Sequence, residues 1–153
     1  MAAGTHSAHL HDHEGHSHEA ASASLTKNQK LVLGVLERAG APLGAYPILD
    51  ELRSEGLRAP LQVYRALDKL LEAGLVHRLE SLNAFVACVH PNCHASASAM
   101  VFAICERCGR TEEFPDEAVG TRLSAWARDN RFTVAKTTVE IKGICAACAD
   151  AAD

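Results

Sequence analysis

Apolar residues recur with a helical period only from Leu25 onward. Leu31, Val32, Val35, Leu36 and Ala39 share one side of a 3.6-residue repeat, with Thr26 placed to cap its start and Gly40 to end it. A second helix fits Ala45 to Glu55, with Ile48, Leu49 and Leu52 inward and Gly56 as its stop. Pro60 suits the first turn of a third helix, whose inward stripe reads Leu61, Tyr64, Leu67, Leu70 and Leu71 before Gly74. The pattern then shortens. "LVHRLE" and "AFVACV" are two β-like runs separated by Ser81, Leu82 and Asn83. Three short helices followed by a hairpin predict a winged helix-turn-helix domain over residues 25–87.

"CVHPNCHASASA" follows, with small residues, one proline and several metal-ligating side chains, and residues 88–98 are assigned to a linker. Beyond it, "AMVFAI" predicts a strand running into Cys105. Pro115 to Arg128 predicts a helix with Val119, Leu123 and Trp126 buried. "RFTVAKTTVEIKGI", Arg131 to Ile144, is β-rich and runs into Cys145. Residues 99–153 therefore form a second, small α/β domain, and the chain as a whole is α+β. Residues 1–24 have no apolar period and cannot bury a core, which predicts a disordered tail. The tail carries His6, His9, His11, His13, His16 and His18, and imidazoles at this density bind transition metals loosely. A solvated tail and a metal-buffering or metal-delivering tail both fit.

Composition narrows the class. The chain has 153 residues and a formal charge of −4, so any nucleic-acid surface must be local. Such a surface is available on the third helix, where Gln62, Arg65 and Lys69 share a face. Arg and Gln suit base edges and Lys suits phosphate, although an ordinary solvated face would look the same. No apolar run is long enough to cross a bilayer, and the N-terminus lacks the basic start and apolar middle of a secretory signal. A cytoplasmic protein without membrane association is expected. In a reducing compartment its six cysteines read as ligands before disulfides.

Their spacing supports this. Cys105 and Cys108 form one Cys-x-x-Cys pair, Cys145 and Cys148 a second, with 36 residues between them. Two such pairs complete the soft tetrahedral shell that a structural zinc prefers. A redox pair would need a single motif on a βαβ scaffold, which the predicted element order does not provide. Cys88, Cys93, His77, His90 and His94 gather in sequence at the junction of the two halves, and Glu113 lies five residues past Cys108. Mixed nitrogen, sulfur and oxygen donors drawn from both halves would suit a second zinc site that fixes the angle between them.

"VYRALDKLLEAGLVHRLESLNAFVAC", "CERCG" and "GICAAC" together closely resemble the ferric uptake regulator family, specifically its zinc-uptake-regulator branch. The resemblance runs from about Leu25 to Cys148. It implies a homodimer with an N-terminal winged helix and a C-terminal dimerisation domain. It also implies zinc as co-repressor and palindromic, AT-rich double-stranded operators before zinc-uptake genes. By position, Cys105, Cys108, Cys145 and Cys148 match the structural zinc site, and His77, Cys88 and Glu113 match three ligands of the sensing site. Tyr64 and Arg65 match the recognition-helix pair, and Tyr46 a DNA-facing tyrosine. The chain departs from the family where the fourth sensing ligand belongs, since Ser98 stands there. His94 is the substitute, with His90 and Cys93 as alternatives. "LTKNQK" and "APLQVYR" also replace more usual family sequences, which bears on base preference.

The expected protein is a zinc-responsive DNA-binding repressor. It has about two zinc ions per chain (one structural, one regulatory at the interdomain hinge), no catalytic residue and no small-molecule substrate. The competing readings are a regulator in the same family sensing iron, manganese, nickel or peroxide, a zinc buffer or metallochaperone, and a thiol oxidoreductase. The Cys88 thiolate disfavours iron and manganese, and the helix-turn-helix half disfavours a buffer.

Overall fold

The computed structural model describes residues 24–90 and 98–151. Helix α1 spans Lys27–Ala39, α2 Ala45–Leu52 and α3 Pro60–Glu72. Thr26 caps α1 through a reciprocal box with Gln29, and Gly40 closes it in the left-handed region at φ 57°. Strands β1 (Val76–Leu79) and β2 (Ala84–Ala87) pair antiparallel around a 3₁₀ turn, Glu80–Leu82, with Asn83 left-handed at φ 47°. This is the winged helix that the pattern predicts. Its core draws Val32, Val35 and Leu36 from α1, Ile48, Leu49 and Leu52 from α2, and Val63, Leu67 and Leu70 from α3.

Two expectations in this half need correction. Helix α2 stops at Leu52, before Glu55, because the chain turns there and Leu57 N–H returns to the Leu52 carbonyl. The inward stripe of α3 is Val63, Ala66, Leu67 and Leu70, while Leu61 is 57% and Tyr64 39% exposed. A three-residue spacing drifts by about 60° per step around an α-helix, so 61, 64 and 67 do not share the core-facing side.

The second half is a three-stranded sheet in the order β4–β3–β5, with β3 Ala99–Cys105, β4 Thr111–Asp116 and β5 Val139–Gly143. Helix α4 (Glu117–Asp129) and a short α5 (Ala146–Asp150) complete it. Strand β4 was not expected. Pro115 suggests a helix start, but it lies on this edge strand opposite Met100, where a missing N–H is tolerated. Asp116 is the true cap of α4, accepting from Val119 N–H at 2.8 Å. Of the β-rich run Arg131–Ile144, only Val139–Gly143 is strand. It pairs parallel to β3, with β4 and α4 in the connection, so this half does contain a parallel crossover. Leu123 and Trp126, expected inside, are 41% and 56% exposed. Phe132, Val134, Ile141 and Ile144 of the same half are exposed as well, left uncovered by the described residues.

The two halves meet through a small second core. Leu79 from the wing packs with Met100, Phe102 and Ile104 of β3, flanked by Val86 and Cys88. Among the described residues no helix is long and apolar enough to cross a membrane.

Candidate metal centres and nucleic-acid interface

The parallel ladder explains how two distant Cys-x-x-Cys pairs meet. Cys105 ends β3 opposite Gly143 near the end of β5, and Glu106 N–H bonds the Gly143 carbonyl at 2.8 Å. The turn after β3 carries Cys108, and the segment after β5 carries Cys145 and Cys148. All four sulfurs lie within 4.8 Å of one another. Cys108 and Cys145 are 3.8 Å apart. A tetrahedron with zinc–sulfur bonds of about 2.3 Å has edges of about 3.8 Å, so the shell has the dimensions of a zinc site. The protonation equilibria agree. The amide N–H groups of Cys145, then of Cys108 and Arg107, pull the Cys105 thiol down to about 6. Hydrogen bonds to Cys145 and Cys108 push Cys148 up to about 12. Four crowded thiols give up the first proton readily and the last with difficulty, a conflict that a divalent cation removes.

The second cluster spans the two halves. His77 sits on β1, Cys88 just beyond β2, and Glu113 on β4. The ring nitrogen Nε2 of His77 is 3.5 Å from Glu113 Oε1, and Cys88 Sγ is 3.8 Å from the same oxygen. The three ligand atoms lie within 4.8 Å of one another. His77 is buried and tilts against the Phe102 ring at 5.3 Å. Burial, above all, pushes the Glu113 carboxyl above its ordinary value, so a bare carboxylate is disfavoured there. Cys88 and Glu113 line a cleft of about 450 Å³ whose wall includes Phe102, the ring that His77 packs against. One nitrogen, one sulfur and one oxygen donor so placed fit a zinc ion.

The fourth donor is open. His90 Nε2 faces the Glu113 backbone carbonyl at 3.4 Å and is not among the three clustered ligand atoms. His94 and Cys93 lie outside the described residues, as does the His-rich tail up to residue 23.

On the face expected to meet DNA, Tyr46 near the start of α2 is 63% exposed, and Tyr64 and Arg65 are exposed on α3. Two members of the expected polar face have local partners. The Gln62 side-chain oxygen accepts from Arg58 N–H at 2.8 Å and Ala59 N–H at 3.1 Å, capping its own helix. Lys69 donates to Glu72 at 2.7 Å. Arg65 and Tyr64 therefore form the more available part of the face, and Leu61, expected in the core, extends it by one helical turn. Sequence reasoning missed Leu61 because an amphipathic period does not say which apolar residues are covered. It also missed Phe102 beneath His77, for which strand alternation in "AMVFAI" was the available signal.

A sequence profile of the Ferric uptake regulator family matches residues 20–142. The Zinc uptake regulation protein of Escherichia coli (strain K12) is 38% identical over 127 residues, covering 82% of this chain and 73% of that protein. Two solved structures are similar over most of the chain. One is a zinc uptake regulator complexed with zinc and DNA, at TM-score 0.76 and 31% identity, covering 91% of this chain and 99% of that one. The other is holo XcZur, at TM-score 0.73 and 44% identity, covering 82% and 86%.

Proposed function

The chain belongs to the ferric uptake regulator family, and on that premise we propose that it is a zinc-responsive repressor that binds operator DNA as a homodimer and controls zinc-uptake genes. The observation that carries the reading is the cluster of His77, Cys88 and Glu113 across the boundary between the wing and the second sheet. The relatives named above, one of them solved with zinc and DNA, support zinc as the ligand and DNA as the target.

His77 and Cys88 belong to the DNA-binding half and Glu113 to the other, so holding them together holds the halves at one angle. Zinc bound there would supply the cross-link. The residues themselves explain why the link responds to the metal. Without a cation, the closed arrangement buries a carboxyl that water would solvate better and crowds it against a thiol and an imidazole. Closure is thus disfavoured at this point until the charge is matched, and the population shifts on binding. A switch from mostly open to mostly closed needs about 5 kcal/mol of differential affinity. His94 is the proposed fourth ligand, with His90 and Cys93 as alternatives.

The Cys105, Cys108, Cys145 and Cys148 shell is the structural site, giving about two zinc ions per chain. The apolar surface of Leu123, Trp126, Phe132 and Ile141 supports the second half as the dimer contact. Tyr46, Tyr64 and Arg65 are the proposed readers of the operator, with Gln62 and Lys69 beside them. Two recognition helices in one dimer would then enter successive major grooves of a palindrome. The protein acts in the cytoplasm, binds no small-molecule substrate and carries no catalytic residue. The test is DNA binding by the purified dimer against buffered free zinc, using a duplex selected from a random pool. Affinity that rises with zinc and not with manganese or ferrous iron is expected, and metal-independent binding would overturn the reading.

A further inference from the structure

Three residues lie in register across the second sheet: Glu113 on β4, Phe102 on β3 and Glu140 on β5. Paired residues in a sheet project to the same side, and here that side faces the wing. Glu113 meets His77 and Cys88, and Phe102 meets His77. At the far end of the row, Glu140 meets the turn of the wing. Its Oε1 accepts from the Glu80 N–H at 2.7 Å and its Oε2 from the Ser81 N–H at 3.2 Å. These amides open the 3₁₀ turn Glu80–Leu82, where backbone donors have no partner within the turn. Partial burial pushes the Glu140 carboxyl up. The Ser81 side chain, the two amides and the Lys142 charge outweigh that and hold it below the usual carboxylate range. These are charge-assisted bonds between residues 60 and 59 positions apart, and they cross the domain boundary.

We propose that Glu140 is a positioning residue for DNA binding, a metal-independent strut that holds the wing against the second sheet. The proposal rests on the reading of the chain as a zinc-responsive DNA-binding protein. The two ends of the row act with opposite sign. At Glu113, closure without a cation is unfavourable because a carboxyl is buried beside other ligands. At Glu140, closure is favourable with or without metal because two backbone donors gain a charged acceptor. Phe102, midway along the row, shares a small apolar core with Leu79 of the wing. Glu140 therefore sets the fraction of metal-free protein already closed. That fraction scales the apparent zinc affinity directly, so it sets the zinc concentration at which the protein responds.

The experiment uses full-length Glu140→Ala and Glu140→Gln proteins. Sensing-site zinc affinity is measured without DNA by competition with a chromophoric chelator. DNA binding is measured against buffered zinc, on a duplex selected from a random pool by the wild-type protein. Both variants should keep the wild-type zinc content at saturation and the dimer. Glu140→Ala should need about tenfold more free zinc for half-maximal DNA binding, and its sensing-site affinity without DNA should fall by a similar factor, because the coupling is reciprocal. Glu140→Gln should lie between, since its amide oxygen accepts without the charge. Unchanged zinc titrations in Glu140→Ala would overturn the strut. Loss of the dimer or of the fold in both variants would also overturn it, by showing a merely structural role. If wild-type protein shows no zinc-dependent DNA binding, the functional reading fails instead, and the titration without DNA still decides whether Glu140 favours closure.

Discussion

Among the described residues, two clusters of side chains could hold a metal ion, and they differ in what they connect. The four cysteines all belong to the second half, with Cys105 ending β3, Cys108 in the turn after it, and Cys145 and Cys148 at the start of and within α5, so their geometry comes with the fold of that half. His77, Cys88 and Glu113 come from both halves, and their geometry exists only when wing and sheet are in contact. A site of the first kind contributes folding free energy, while a site of the second kind reports and controls an angle. On the proposed function, ligand origin separates the structural from the regulatory site better than ligand chemistry does.

The largest effect is expected at the cysteine shell. Cys105→Ser or Cys148→Ser should unfold the second half and abolish the dimer, since structural zinc contributes on the order of 10 kcal/mol in small sites. Circular dichroism and sedimentation check this, and a folded dimeric Cys105→Ser protein would erase the distinction between the clusters. The same zinc should resist chelators that strip the interdomain site.

Next come the interdomain ligands. His77→Ala should leave a folded dimer that holds about one zinc per chain in place of two, by the ligand count of a closed site. Its DNA affinity should no longer rise with zinc. Metal analysis after dialysis gives the first number, and loss of both ions would merge the two sites into one folding unit. The fourth ligand sharpens the point. His94→Ala should behave as His77→Ala does, whereas a full zinc response in His94→Ala with loss in His90→Ala or Cys93→Ser would move the assignment.

A smaller effect is expected at the surface that the hinge positions. Arg65→Ala should weaken operator binding by about 1–3 kcal/mol and relax base discrimination if its guanidinium reads a base edge. If Arg65 touches only phosphate, binding should fall alike on all sequences and the salt slope should drop by about one. Isotherms on operator and scrambled duplex over a salt series separate the two. In either case its zinc content should match wild type, as befits a residue outside both clusters.

The cysteine shell was legible in the sequence because a paired Cys-x-x-Cys is informative without any fold. The interdomain ligands were not legible in that way. Each is a single residue of ambiguous kind, and Cys88 and Glu113 stand 25 positions apart. Their gathering at the junction suggested a mixed-donor site among six candidates, and resemblance to a family picked out these three. The helices were legible from their period and stops. The covered faces were less so, since Leu61 and Trp126 obey an amphipathic pattern yet point away from this chain's own core. Strand β4 was hidden by Pro115, which reads as a helix start until its place on a sheet edge is known. Glu140 was hidden because it acts on backbone amides, and a backbone partner leaves no mark in the sequence.

On the proposed function, zinc controls DNA binding through the cluster that spans the halves. The most direct test is the zinc dependence of DNA affinity in wild-type and Cys88→Ser protein, with the cysteine shell loaded in both. Wild-type affinity should rise steeply as free zinc increases, while Cys88→Ser should stay folded, dimeric and weak at every zinc concentration. A Cys88→Ser protein whose affinity rises with zinc as the wild type does would contradict the account and place the sensor elsewhere.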